Sequence, residues 1–314
     1  MSEETIYNSE ESKNRPSGNG DLERAYMPSQ WCQRLPPNEV VDEHYRVLTE
    51  GSKRVIEKFV VEQNIRYGPS EAQKLNIVYP SRVVDDAAVL VFIHGGYWVA
   101  GCPEQNIAIA EQFVENGAVF VSMGYSLSPK ASLPEIVEQV KLGFALILNK
   151  FSNSRSIYVS GHSAGGHLAA RILEVDWSKH VGSANNPLKG AVLMSGLFNL
   201  LPLLHTSVND GVCMSEEIAK QESPIEHIVE VGKQCKQLEL VHVVVGEMES
   251  PEFKEQSMDY AKACKEAGVN AQYKVISNVD HFNMIERLLG DDYILTQMIQ
   301  KMMALDIQVK STND

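Results

Sequence analysis

The chain has 314 residues, 44% of them hydrophobic, which suits one large α/β domain with a sizeable core, and its 41 acidic against 28 basic side chains give a formal charge of -13. With no basic cluster to neutralise phosphates, that balance argues against nucleic acid and anionic membrane surfaces as partners. No apolar run approaches the roughly 18 residues of a membrane span, and the N-terminus has no apolar signal-peptide core.

The five cysteines, Cys32, Cys102, Cys213, Cys235 and Cys264, are odd in number and scattered without metal-ligand spacing. They read as free thiols in a reducing compartment, so the expected location is cytoplasmic and the expected partner a small-molecule substrate. Oligomeric state is left open, a homodimer included.

Residues 1 to 20 are rich in Ser, Glu, Asn, Gly and Pro and read as a disordered acidic tail, because they cannot bury enough surface to order themselves. Residues 21 to 314 read as a single domain without internal repeats. Asp21 to Trp31 brings Tyr26 and Trp31 into a polar stretch and is expected to pack on the domain or over its site, with core anchoring favoured over substrate contact. Asn38 to Arg54 has helical apolar spacing after Pro36 and Pro37. Phe59 to Tyr67 and Lys74 to Tyr79 read as an antiparallel hairpin joined through Gly68-Pro69-Ser70.

From Ala87 onward, buried strands and helices alternate. A strand at Ala88 to Ile93 precedes a helix near Glu104 to Asn116, a strand at Val119 to Met123 and a helix from Leu133 to Asn149. Further strands lead into Ser163 and cover Gly190 to Met194, Leu238 to Val245 and Ala271 to Ile276, and a last helical region runs from Phe282 to Leu305. The fold class is therefore α/β, a mostly parallel central sheet with an antiparallel N-terminal hairpin and helices on both faces.

Ligands of such sheets sit beyond the carboxyl ends of the strands, so the residues that follow each strand carry the chemical reading. Ile157-Tyr158-Val159 runs into Gly161-His162-Ser163-Ala164-Gly165 and then a helix-forming segment, the pattern of a nucleophile elbow with Ser163 at its tip. After Val89 to Ile93 come His94-Gly95-Gly96-Tyr97-Trp98, whose two glycines leave backbone N–H groups uncovered for an oxyanion hole. The second donor would be the N–H of Ala164. Tyr97 and Trp98 are expected to wall the acyl side of a pocket, with Phe198 nearby.

Gly246-Glu247-Met248-Glu249 follows the strand Leu238 to Val245, and an acid three residues past the glycine favours Glu249 over Glu247 as the carboxylate that orients a histidine. His281 lies between the last strand and the last helical region. Among nine histidines it alone follows the right strand; His44, for example, lies in a polar segment. The order Ser, acid, His is that of the α/β-hydrolases.

His94-Gly95-Gly96-Tyr97-Trp98 together with Gly161-His162-Ser163-Ala164-Gly165-Gly166-His167-Leu168 resembles the kynurenine formamidases (arylformamidases) of the α/β-hydrolase superfamily. Tyr26 to Trp31, Ser195 to Leu200, Ser223-Pro224 and Ser250 to Phe253 support the resemblance, which runs from about Asp21 to the end of the last helix. The family usually has Asp where this chain has Glu249. The resemblance implies hydrolysis of N-formyl-L-kynurenine to L-kynurenine and formate, a step of tryptophan breakdown, with no metal or organic cofactor. The residues themselves reach only to acyl transfer to water. A carboxylesterase of small-acyl preference and a catalytically silent hydrolase-fold binding protein are the alternative readings.

Overall fold

Alternation beyond residue 87 folds into one sheet that gathers the strand ends named above along a single edge. A computed structural model describes residues 19–82, 84–181 and 188–305. Its strands are β1 (Val60–Arg66), β2 (Lys74–Tyr79), β3 (Val89–Ile93), β4 (Val119–Met123), β5 (Ile157–His162), β6 (Leu188–Met194), β7 (Leu240–Gly246) and β8 (Ala271–Ile276). They lie in the order β1-β2-β4-β3-β5-β6-β7-β8. β1 pairs antiparallel with β2 and β2 with β4, and every other pairing is parallel.

The expected hairpin is thus present, and β2, β4 and β8 occupy the residues read from the pattern. The tail read over residues 1 to 20 lies outside the described residues except for Asn19 and Gly20, which open a helix, Asn19–Ala25. Residues 306 to 314 of the expected domain also lie outside them.

β3, β4 and β5 are buried along their whole length because each face of the sheet is covered, as a parallel sheet requires. The two-residue period of a strand splits β3 between two cores. Val89, Val91 and Ile93 pack with Ile136, Val140 and Phe144 of the helix Leu133–Lys150, whereas Leu90 and Phe92 pack with Leu48 and Val55 of the helix Val40–Lys58 and with Leu295 and Ile299 of the helix Ile294–Met302. β1, mostly exposed, is one edge of the sheet and β8 the other. Its register shifts between Glu62 and Ile65, where Asn64 takes φ 59° and donates its N–H to Asn76 Oδ1 at 2.9 Å, a bulge that blunts the edge.

Two helical segments differ from expectation. The helix read near Glu104 to Asn116 is a 3₁₀ turn, Gln105–Ala110, followed by a short α-helix, Glu111–Val114. Two of its backbone groups are tied to the Val40–Lys58 helix: Ser52 Oγ donates to the Gln105 carbonyl at 2.7 Å and accepts from the Ala108 N–H at 3.0 Å. The last helical region breaks into Asn283–Glu286, a 3₁₀ turn Arg287–Leu289 and Ile294–Met302. Gly290 is extended there, and Asp291-Asp292 after it are turn formers.

Candidate active site

Ser163 stands where β5 meets the helix Ala164–Ile172, with φ 55° and ψ -121°, a conformation that a residue with a Cβ adopts only when its surroundings over-determine it. Here they do. Its N–H donates to the Met194 carbonyl at 2.8 Å and its carbonyl accepts from the His167 N–H at 3.1 Å. The flanking glycines are sterically required, since a Cβ on Gly161 would collide with the Gly165 carbonyl and a Cβ on Gly165 with the Ile93 carbonyl. Ala164, as the first residue of its helix, has an N–H without an intrahelical acceptor.

The loop after β3 is held in an equally special shape, with Gly96, Tyr97 and Trp98 at φ 101°, 48° and 60°. A positive φ is rare for so bulky a residue as Trp98. The Trp98 indole is fully buried and donates to His167 Nδ1 at 3.2 Å, and the other ring nitrogen of His167 bonds the Glu222 carbonyl at 2.7 Å. His167 therefore accepts at Nδ1 and donates at Nε2, and burial pushes its pKa down to about 3.

His94 stacks on Tyr125 at 4.2 Å between centroids and bonds the Gly95 carbonyl at 2.9 Å; burial lowers its pKa to about 4. The Gly95 and Gly96 carbonyls accept bonds inside the loop, Gly96 from the N–H groups of Val99 and Ala100 at 3.0 Å. Gly95 lies so close to the elbow that an added Cβ would meet the His162 carbonyl at 2.9 Å and Ser163 Cβ at 3.0 Å.

Opposite the elbow, His281 Nδ1 lies 2.6 Å from Glu249 Oε2, both residues being buried. A carboxylate only accepts, so this bond puts the proton on Nδ1 and leaves Nε2 free to accept one. The other Glu249 oxygen accepts from Ser195 Oγ and from the Gly246 N–H, the latter at 3.0 Å. Glu247 is turned elsewhere: its carboxylate accepts from the Asn278 N–H at 2.8 Å on the exposed side. The His281 ring is boxed by His162, Phe253 and Phe282 at 4.4, 5.0 and 5.7 Å. Burial, then the adjacent His281, push His162 well below an ordinary histidine pKa.

Ser163, His281, Gly95, Gly96 and Tyr97 line one cleft of about 280 Å³. Tyr97 borders it with its hydroxyl donated to the Tyr26 carbonyl at 2.6 Å. Trp98 and Phe198, expected as pocket walls, do not line it. Trp98 is turned inward to His167, and Phe198 stacks on Tyr260 at 4.2 Å and faces a separate hollow that shares no lining residue with the cleft.

The segment from Asp21 to Trp31 divides its roles. Tyr26 is buried and its hydroxyl accepts from Gln256 Nε2 at 2.8 Å, while Met27, Pro28 and Ser29 border the cleft.

Two residues of the site escaped the sequence reading. Ser195 is legible as the start of the Ser195 to Leu200 match after β6 but without a role, and His44 only through its place one helical turn from both Val40 and Leu48, which are buried. Among the described residues no group of three or more His, Cys, Asp and Glu side chains could hold a metal, and no helix is long and apolar enough to cross a membrane.

A mostly parallel sheet, a strained serine at the β5 elbow, a glycine loop beside it and a carboxylate-bound histidine after β8 define an alpha/beta hydrolase, and residues 90–285 match the family described as alpha/beta hydrolase fold. Among solved structures, one from Silicibacter described as a candidate thioesterase is 26% identical with a TM-score of 0.72 and covers 89% of this chain and 98% of its own. A Pyrobaculum calidifontis esterase, 21% identical with a TM-score of 0.64 over 85% of this chain and 92% of its own, shares the fold.

Similarity to curated proteins narrows the class. The kynurenine formamidase of Salmo salar is 37% identical over 90% of this chain and 96% of its own length, and that of Danio rerio is 34% identical over 90% and 95%. The chain belongs to the kynurenine formamidase family.

Proposed function

We propose that this chain hydrolyses the formamide of N-formyl-L-kynurenine to give L-kynurenine and formate, with Ser163 as nucleophile, His281 as base and then acid, and Glu249 as the group that orients His281. The observation that carries the reading is the 2.6 Å contact between His281 Nδ1 and Glu249 Oε2, which holds a histidine that lines the same cleft as the strained elbow serine of a formamidase-family chain. Ser163 Oγ attacks the formyl carbon as His281 Nε2 takes its proton. The N–H groups of Ala164 and of the Gly95-Gly96 turn receive the oxyanion.

Collapse of the tetrahedral intermediate breaks the C–N bond, and His281 returns the proton to the departing aniline nitrogen. Water, activated by the same imidazole, then releases formate from the formyl ester. Glu249 fills the place where the family usually has Asp; its longer side chain is supported at the second oxygen by Ser195 and the Gly246 N–H.

Residues 21 to 314 act as one domain in this reading. The five cysteines are all free thiols, which supports a cytoplasmic location.

Turnover of N-formyl-kynurenine beside p-nitrophenyl acetate and p-nitrophenyl octanoate tests the reading. Cleavage of the formamide and the acetate, with the octanoate hardly touched, is expected of a cleft whose acyl side admits the smallest acid. Comparable kcat/KM for acetate and octanoate without formamide hydrolysis would make the protein a general esterase.

A further inference from the structure

N-formyl-kynurenine carries a carboxylate and an ammonium at the end remote from its formamide, and a charge taken out of water needs a partner. Among the described residues the cleft is lined by no Lys, Arg, Asp or Glu. Its lining side chains that can become cations are four histidines, His44, His94, His162 and His281. His281 is engaged with Glu249, and His94 and His162 are enclosed and held neutral by burial. That leaves His44.

His44 projects from the Val40–Lys58 helix and packs edge-on against Phe282, 5.6 Å between centroids. Its Nδ1 lies 3.0 Å from Glu286 Oε1, so Nε2 is the ring nitrogen left to meet a ligand. Arg34 shares the Glu286 carboxylate at 2.9 Å and bonds Asp280 at 2.8 Å, so one guanidinium faces two carboxylates behind His44 and the Glu286 oxygen that meets Nδ1 is held in place. An imidazolium whose first N–H is fixed by a carboxylate presents the second to an anion in a charge-assisted bond.

We propose that His44, oriented by Glu286, is the residue that recognises the carboxylate of the amino-acid substrate and so sets specificity for it. The inference rests on the formamidase reading above. A local partner for the carboxylate matters more because the whole protein, at -13, repels an anionic substrate. The ammonium asks less, since the neutral oxygens of Ser29, Tyr45 and Gln105 line the same cleft.

The test compares kcat/KM of the unaltered protein for N-formyl-kynurenine, for the analogue with hydrogen in place of the carboxylate, and for the analogue with hydrogen in place of the amine. Removing the carboxylate is expected to lower kcat/KM about tenfold or more, the scale of one charge-assisted bond, and removing the amine less than about threefold. In His44→Gln the preference for the carboxylate should shrink below about threefold, chiefly through KM, because a binding contact remote from the reacting bond acts equally on ground and transition states.

Equal rates with and without the carboxylate, a preference that follows the amine, or a full preference surviving in His44→Gln would each overturn the proposal. The first two arms need no variant, so a misfolded His44→Gln protein leaves it decidable. Absence of turnover on every formamide would sink the formamidase reading instead. The carboxylate question is then decided by inhibition of p-nitrophenyl acetate hydrolysis: kynurenine must inhibit about tenfold more tightly than its decarboxylated amine, and equal inhibition overturns the proposal.

Discussion

On one side of the cleft, residues 94–101 and 161–166 are shaped by backbone: six glycines packed against carbonyls or other main chain, and a run of positive φ from Gly96 to Trp98. On the other side, side chains do the shaping, with Glu249 holding His281 and with Arg34, Asp280, Glu286 and His44 joined in one polar network. A backbone-built wall tolerates few residue types and writes itself into sequence as glycine spacing. A side-chain wall leaves no short pattern, because its members lie up to 252 positions apart, as Arg34 and Glu286 do.

The comparison breaks first at Ser163, the proposed nucleophile, which stands on the backbone wall. Ser163→Ala should reduce kcat on the order of a millionfold, as loss of a triad nucleophile does, and should abolish labelling by a fluorophosphonate probe. Near-normal turnover by a folded Ser163→Ala protein would remove the elbow from the mechanism.

The side-chain wall is tested by an amide at each glutamate. Glu249→Gln keeps shape but favours the wrong His281 tautomer, and should lower kcat/KM at least about a hundredfold, against less than about threefold for Glu247→Gln. The reverse ranking would hand the role to Glu247. Two mild effects would mean that His281 needs no carboxylate.

Trp98→Phe sharpens the contrast, because Trp98 belongs to the backbone wall yet holds it through a side chain. The change leaves His167 Nδ1 buried without its donor and should lower stability by about 1–3 kcal/mol in denaturant unfolding. No change in midpoint would show that the loop stands on its glycines alone.

The smallest effect per unit change is a pH dependence. His94 and His167 are held at about 4 and about 3 against an ordinary 6.5, so the unfolded chain binds more protons than the folded one below about pH 6.5. Their stabilisation is therefore complete above that value and is lost as pH falls toward 4, each histidine contributing up to about 1.4 kcal/mol per pH unit. Thermal midpoints at pH 7.5 and 5 should show the fall, and His94→Gln should flatten it. An equally steep curve in that variant would place the titration elsewhere.

These differences also decide how much of the fold and of the site is legible in the sequence. β4 runs over the expected residues because a fully buried strand leaves a continuous apolar run, and β8 because Gln272 and Lys274 alternate with Ala271, Tyr273 and Val275 as a half-exposed strand requires; Ser163 announces itself because its turn demands Gly161 and Gly165. The helix near Glu104 was misjudged, since Ser52 diverts its hydrogen bonds and only folding brings Ser52 there. Trp98 and Phe198 follow strand ends as pocket residues do, yet their partners His167 and Tyr260 turn them inward. His44 was passed over as one polar residue among many; what distinguishes it is Glu286, 242 positions away.

The lip formed by Met27, Pro28 and Ser29, with Tyr26 pinned between Tyr97 and Gln256, bears on how far the chain can be trimmed. The span that matches the hydrolase family begins at residue 90, downstream of that lip, of His44 and Tyr45, and of both antiparallel strands. A protein cut to that span would keep Ser163, Glu249 and His281 but open the cleft into a trough and bare the edge of β4 to other chains. Trimming from the front should therefore erode the ability to choose among acyl compounds, and the ability to stay in solution, before it touches the residues that react.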